Sequence, residues 1–207
     1  RDSSTSRGLG DVYKRQDWTV LSLTAAAFSD WFLFGMTKEI QSETQLMCQS
    51  LSECGSETVR GRTRRLDALL SERSLEEHAQ DWAKTFALGA QSTTPHESVF
   101  RSGLVMQESR DQTLAWMRSM GLGRAEGVNE PEDHAGFQLA IFANLCARVA
   151  ADMNDQENKS NALRFAQEHL LWLEELQRAL QRNGAPSYSC AAMDLLVSVL
   201  GDVIDND

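Results

Sequence analysis

The chain has 207 residues, 42% of them hydrophobic and 24% charged, and a formal net charge of −10 at pH 7. This length fits one domain, and the balance of apolar and charged residues is typical of a globular protein that buries a core. The acidic charge excludes nucleic acid as the expected partner, because phosphate binding depends on clustered Lys and Arg. It favours a basic partner or simply solubility.

The composition predicts an all-α protein, a single-domain helical bundle of about eight helices. Only three prolines occur, and Leu, Ala, Gln and Glu are frequent. The four cysteines lie far apart without metal-binding spacing, so we predict neither a disulfide framework nor a metal site. No cofactor is predicted either. This use of cysteine fits a reducing cytoplasm. We find no run of the ~20 apolar residues that cross a bilayer, and therefore expect no integral membrane segment.

The beginning of the chain differs from the rest. Residues 1–10 are polar and unpatterned, and Asp11–Gln16 back-translates readily to a transposase end sequence used in library preparation. We therefore interpret residues 1–16 as a non-native or disordered leader, and residues 17–207 as the helical domain. A basic disordered leader that belongs to the protein is the alternative.

Helical periodicity and capping signals predict the elements of the first half of the domain. A first helix is expected over 17–34, and Thr37 caps a second helix that ends in a loop at 52–58. Ser74 and Glu77 have the spacing of a capping box and open a further helix.

Glycines are expected to mark helix ends and connections in the middle of the chain. Gly89 is expected to end the capping-box helix, and 91–103 to form a loop. A helix at 108–120 is closed by Gly121 and followed by a glycine-bearing connection at 122–129. Such a connection permits either a monomer or a domain-swapped homodimer.

The second half of the chain contains the most apolar predicted helix. It is expected to begin at Pro131, which suits the first helical position, and to place Glu132 and Asp133 in a first turn that favours negative charge. A long amphipathic helix at 162–182 and a last helix at 189–204 follow. The apolar helix is expected at the centre of the bundle.

Asp133 and His134 form a charged, titratable pair at the mouth of this central helix. The plain interpretation is a first-turn acid beside a capping or solvated histidine. The functional interpretation is a binding or catalytic site, because such groups cluster at functional sites.

Three segments of the chain resemble, in the same order, motifs of the TorD/DmsD/NarJ family of chaperones for molybdenum oxidoreductases. Pro95–Phe100 is similar to the family loop Pro-x-Glu-Ser-Val-aromatic, although His96 and Phe100 replace the usual Trp and Tyr. The element Glu-Pro-x-Asp-His is intact at 130–134. The segment 165–172 resembles the family's late helix with its Phe, His-Leu and Trp.

The resemblance implies a cytoplasmic, non-catalytic all-α protein. It would bind the twin-arginine signal peptide and/or the apo catalytic subunit of a molybdopterin oxidoreductase of the dimethyl sulfoxide, trimethylamine N-oxide or nitrate reductase type. It would thereby assist cofactor insertion and proofreading before export.

Eleven residues of this sequence are the expected signal-peptide or client contacts: Trp82, Phe86, Pro95, Glu97, Ser98, Val99, Phe100, Glu130, Pro131, Asp133 and His134. Asp133 is expected to accept a guanidinium, and His134 to tune that contact near neutral pH. An apolar groove is expected to be lined by Trp82, Phe86, Val99 and Phe100.

A metal-assisted hydrolase is the alternative, with Glu130, Asp133, His134 and His169 around the metal. Helical metal proteins use Glu-x-x-His pairs on facing helices, whereas here three groups fall in one turn. A transcriptional regulator is disfavoured by the charge and by the lack of a helix-turn-helix. We therefore predict a chaperone, not an enzyme, with no catalytic residue.

Overall fold

The computed structural model describes the backbone of residues 4–87, 92–124 and 127–205. Within these ranges it contains ten α-helices and no β-strand, which confirms the predicted all-α bundle. The helices are α1 (Ser4–Phe34), α2 (Lys38–Cys54), α3 (Glu57–Glu72), α4 (Leu75–Trp82), α5 (Glu97–Ser102), α6 (Glu108–Ser119), α7 (Ala135–Ala151), α8 (Gln156–His169), α9 (Leu173–Arg182) and α10 (Ser187–Asp205). A π-helical segment, Ala83–Ala87, continues α4.

Some predicted boundaries fall outside the described residues. Residues 1–3 of the expected leader do, and so do Gly89 and residues 125 and 126 of the connection that permits a domain swap. The backbone of residues 4–16 belongs to α1. The division of the chain at residue 16 stays a prediction.

Local capping starts three of the early helices. The hydroxyl of Thr37 accepts a hydrogen bond from the N–H of Ile40, and Ser56 serves α3 in the same way. The predicted capping box of Ser74 and Glu77 is present, with both reciprocal hydrogen bonds formed. These side chains satisfy backbone donors that a helix start would leave unpaired.

α7 is the central helix of the bundle, as its apolar sequence predicts. It packs along α1 on one side and against α8 on another. Gly136 allows the close approach of α1, since a Cβ there would lie 3.1 Å from the carbonyl oxygen of Ser29 and would overlap the side chain of Leu33. The core therefore fixes the entry of α7 against α1.

Two helix boundaries differ from the sequence prediction. α7 begins at Ala135 rather than at Pro131, because the residues before it form a turn in which the N–H of His134 donates to the carbonyl oxygen of Pro131 (3.0 Å). Glu132 and Asp133 thus precede the helix. A short helix, α5, also lies inside the segment 91–103 that was expected to be a loop.

The long helix expected over 162–182 is divided. α8 starts earlier, at Gln156, and ends at His169, and α9 begins at Leu173. No proline or glycine causes the break. The indole of Trp172 instead donates hydrogen bonds to the side-chain oxygen of Gln138 (2.8 Å) and to the carbonyl oxygen of His169 (2.9 Å).

In the part of the chain that the structure describes, α10 alone meets a length and composition test for a membrane-crossing helix. The window Ser187–Ile204 meets that criterion by length and composition, with a mean hydropathy of 1.4. However, 56% of this window is buried inside the bundle, where α10 packs on α3 and α9. Such burial is what a core helix of a folded domain shows.

Candidate functional site

The segments 95–98 and 130–135, far apart in sequence, lie side by side and are called here the two-segment unit. An isolated antiparallel bridge joins His96 to His134. The N–H of Glu97 donates to the carbonyl oxygen of Asp133 (3.0 Å), and that of Ala135 donates to the carbonyl oxygen of Pro95 (2.9 Å). Two of the three sequence motifs therefore form one structural element.

Asp133 lies inside the two-segment unit and is fully buried. Its Oδ2 accepts hydrogen bonds from the backbone N–H of Ser98 (3.0 Å) and from the Ser98 hydroxyl. Its Oδ1 has no hydrogen-bond partner among the described residues. The expected first-turn acid is thus corrected to a buried carboxylate that precedes the helix and is held by the other segment, with one oxygen that has no partner there. Buried polar atoms of this kind are rare.

His134 caps α7 through its imidazole. Nδ1 accepts a hydrogen bond from the N–H of Gly136 (3.1 Å), which places the ring proton on Nε2. The ring is buried and meets the edge of His96 at 4.9 Å between centroids. Burial, and then the neighbouring His96, lower the pKa of His134 to about 3. His134 is therefore neutral at physiological pH, and the expectation that it titrates near neutrality is wrong.

His96 occupies the position where the resembling family usually has Trp. Burial lowers the pKa of His96, although the carboxylates of Asp133 and Glu130 oppose this shift. The carboxylate of Glu130 is half exposed and comes within 3.3 Å of the His96 ring. Nε2 of His96 thus faces a carboxylate, whereas Nδ1 has no hydrogen-bond partner among the described residues. The unit therefore holds two buried polar atoms without a polar partner there, Oδ1 of Asp133 and Nδ1 of His96.

Glu97 connects the two-segment unit to the rest of the bundle. Its carboxylate is fully buried. Oε1 accepts a hydrogen bond from Nε of Arg101 (2.5 Å), and Oε2 accepts one from the amide of Gln138 on α7 (2.5 Å). Nδ1 of His169 on α8 lies 3.1 Å from the same Oε2. One carboxylate thus joins α5, α7 and α8.

The third sequence motif enters the same network. The Gln138 amide also donates to the hydroxyl of Thr113 (3.2 Å) and accepts from the indole of Trp172 (2.8 Å). The ring of Phe100 packs on Trp172 with 5.3 Å between centroids. Gln138 and Thr113 were not predicted as site residues. The signal for Gln138 was present, because it is an amide within the apolar surface of the central helix.

Glu132 joins the two-segment unit to α6 and to the segment that connects α6 with the unit. Its Oε2 accepts a hydrogen bond from Nε of Arg110 (2.8 Å), and its Oε1 accepts two from Arg124. Burial raises the pKa of Glu132, but the hydrogen bonds and charge of Arg124 outweigh it and hold the pKa below its usual range. The sequence prediction assigned this residue to a helix first turn.

The four residues predicted to line one apolar groove are half-buried and divide into two groups by their ring contacts. Trp82 packs on Phe86, which in turn packs on Phe32 of α1. Phe100 follows Val99 in α5 and packs on Trp172 instead. Phe32 also meets the ring of His134, so the first group borders the two-segment unit.

The ligands proposed for a metal-assisted hydrolase do not converge. Asp133 binds Ser98, whereas His169 contacts Glu97. In the part of the chain that the structure describes, no group of three His, Cys, Asp or Glu side chains is placed to hold a metal ion.

The family comparison agrees with the site. A sequence model of the family described as "Nitrate reductase delta subunit" matches residues 52–178. This range contains both segments of the unit, Gln138, His169 and Trp172. No curated protein matches the chain. The predicted TorD/DmsD/NarJ relationship is confirmed: the chain belongs to the nitrate reductase delta subunit family, whose members are chaperones for molybdoenzyme maturation.

Proposed function

We propose that this protein is a cytoplasmic chaperone that binds the twin-arginine signal peptide and/or the apo catalytic subunit of a molybdopterin oxidoreductase. The client is of the dimethyl sulfoxide, trimethylamine N-oxide or nitrate reductase type. Binding assists cofactor insertion and delays export until it is complete. The family match over residues 52–178 carries the proposal, since that family consists of maturation chaperones rather than catalytic enzymes.

The unpaired oxygen of Asp133 supports binding of an arginine-rich peptide. A guanidinium that reaches Oδ1 would supply the hydrogen bond that this buried carboxylate oxygen lacks, and charge-assisted bonds are the strong ones. Because Asp133 is fully buried, entry requires local opening of the segment 95–98. The seven other proposed contacts belong to the two-segment unit and its continuation: Pro95, Glu97, Ser98, Val99, Glu130, Pro131 and His134.

Charge supports the same partner. The protein has a formal net charge of −10, which attracts a basic peptide over a distance before contact. Glu130 adds an exposed carboxylate at the rim of the two-segment unit, with 51% of its side chain accessible. The aromatic group around Trp82 and Phe86, and the one around Phe100, are the proposed contacts for apolar parts of the client.

The test is a pull-down with the full chain from cytoplasm of the source organism, with a twin-arginine peptide as competitor. The expected result is recovery of a molybdenum-enzyme subunit that the peptide displaces. A peptide with Gln-Gln in place of Arg-Arg is the matched control and should displace nothing. Recovery of unrelated proteins alone, with no bound peptide, would restrict the relationship to fold.

A further inference from the structure

Three consecutive large apolar side chains are exposed in the segment between α5 and α6. Leu104, Val105 and Met106, called here the apolar loop, are 63%, 46% and 62% exposed. Met106 has a φ of 59°, in the left-handed region that few non-glycine residues adopt. An exposed apolar patch in a strained conformation is typical of an interaction site.

The two helices that flank the apolar loop, α5 and α6, both bond to the turn at Glu132 and Asp133. On the α5 side, Ser98 donates hydrogen bonds to the carboxylate of Asp133. On the α6 side, Nε of Arg110 donates to the carboxylate of Glu132 (2.8 Å). The elements on either side of the loop, α5 and α6, therefore both bond to the turn that contains Glu132 and Asp133.

An acidic helix start follows the apolar loop. Glu108 and Asp111 lie in the first turn of α6, and both residues are exposed. Glu108 accepts a hydrogen bond from Gln112, and Asp111 pairs with Arg110 while 77% of its side chain remains accessible. The nearby cation Arg101 is already bound to Glu97. Exposed carboxylates thus follow the exposed apolar side chains within a few residues of the chain.

We propose that the apolar loop binds the apolar segment that follows the two arginines of a client signal peptide, while the exposed Glu108 and Asp111 attract the arginines that Asp133 binds. This inference rests on the proposed function and names a contact surface for it. A basic stretch followed by an apolar stretch is complementary to this surface in both charge and hydropathy.

A second copy of the chain suits the apolar loop less well than a peptide does. Stable interfaces bury at least about 1,200 Å² in total, far more than three side chains supply. Two copies that met through this surface would also bring the acidic starts of α6 together, in a protein of net charge −10. The loop suits a short, basic and apolar peptide better than it suits another acidic molecule.

The experiment measures peptide affinity of the full chain by fluorescence anisotropy. One synthetic probe has Arg-Arg followed by about twelve Leu and Ala residues, and the other has Ser and Gly in their place. The double variant Leu104→Ser, Met106→Ser removes apolar surface that makes no core contact. Leu46→Ser, at a residue that is 55% exposed on α2, is the matched control.

The double variant should weaken binding of the apolar probe by at least about tenfold, because two apolar side chains that the peptide would bury are replaced by polar ones. Its affinity for the Ser-Gly probe should not change, and Leu46→Ser should bind both probes as the unaltered protein does. Glu108→Gln with Asp111→Asn should weaken binding mainly at low salt, where exposed charges act most strongly.

Three outcomes would overturn the inference. If the unaltered protein binds the apolar probe and the double variant binds it equally well, the loop is not the contact, and the proposed function stands. If the unaltered protein does not bind the apolar probe, both the inference and signal-peptide recognition fail. If sedimentation shows that the unaltered protein and Leu46→Ser are dimers while the double variant is a monomer, the loop is a self-association surface.

Discussion

The starts of α2, α3 and α4 differ from the start of α7 in what holds them. Thr37, Ser56 and Ser74 each accept a hydrogen bond from a backbone N–H three residues later. The entry to α7 is instead fixed by backbone and side-chain bonds to residues 95–98, and His134 supplies the cap. The starts of α2, α3 and α4 are capped by residues close in sequence, whereas the start of α7 also needs contacts with residues 95–98.

The two kinds of helix start also differ in how well their polar atoms are satisfied. The capping side chains of α2, α3 and α4 have partners, whereas the entry to α7 contains Oδ1 of Asp133 and Nδ1 of His96 without one among the described residues. Unsatisfied buried groups are costly, and they persist where function gives them a role. The proposed binding site therefore lies at the non-local helix start, although buried atoms of Thr24, Trp31, His78 and Trp82 also lack a partner within the described ranges.

Among the variants that test this comparison, Glu97→Ala should have the largest effect on the free energy of unfolding. Removing this buried carboxylate leaves Arg101, Gln138 and His169 without their shared acceptor, so the free energy of unfolding should fall by about 3–5 kcal/mol. Urea unfolding measures it. Glu168→Ala, at an exposed position whose side chain the network does not use, should stay within about 0.5 kcal/mol of the unaltered protein. Equal effects would show that the network is not a special source of stability.

A second test breaks one bond between the two segments. Ser98→Ala removes the hydroxyl that donates to Asp133 and should lower the free energy of unfolding by about 2 kcal/mol, the range for hydrogen bonds to charged groups. Ser102→Ala is the matched control, because its hydroxyl bonds the carbonyl of Ser98 within the same short helix. The comparison is contradicted if the two variants lose the same stability in urea.

A third test uses pH. The pKa of His134 is about 3 when folded, so below about pH 6.5 the unfolded chain binds a proton that the folded protein does not. This contribution is fully present above pH 6.5 and is lost as the pH falls, by about 2 kcal/mol between pH 7 and pH 5. His134→Asn keeps a capping oxygen without titrating. Urea unfolding at both pH values should show a smaller loss for this variant, and an identical loss would refute the assignment.

The smallest effect is expected at a local cap. Ser74→Ala removes the capping box of α4 and should cost about 1 kcal/mol of unfolding free energy. Peptide affinity should not change, since the box lies outside the two-segment unit. A large loss of affinity in calorimetric titration would mean that helix starts of both kinds contribute to binding.

The sequence predicted the elements that short windows determine. The caps at Thr37 and Ser74, the apolar central helix and the all-α class follow from spacing and composition. The three motifs that resemble the family also led to Asp133, His134, His169 and Trp172, which the structure gathers around one network.

The remaining features depend on contacts between distant parts of the chain. The start of α7 at Ala135 depends on bonds to Pro95–Ser98, and the division between α8 and α9 depends on Gln138. Neither partner lies within the window that periodicity examines. The burial of Asp133 has the same origin, because Ser98 covers a carboxylate that its own neighbours would leave in solvent.

The central claim is that the two-segment unit recognises the arginines of a signal peptide. Its most direct test is calorimetric titration of the full chain and of Asp133→Asn with a twin-arginine peptide, with circular dichroism to compare helical content. We expect the variant to bind at least about tenfold more weakly at unchanged helical content, because the charge-assisted bond is lost. Equal affinity of the two proteins would contradict the claim, and a loss of helical content would make Asp133 a purely structural residue.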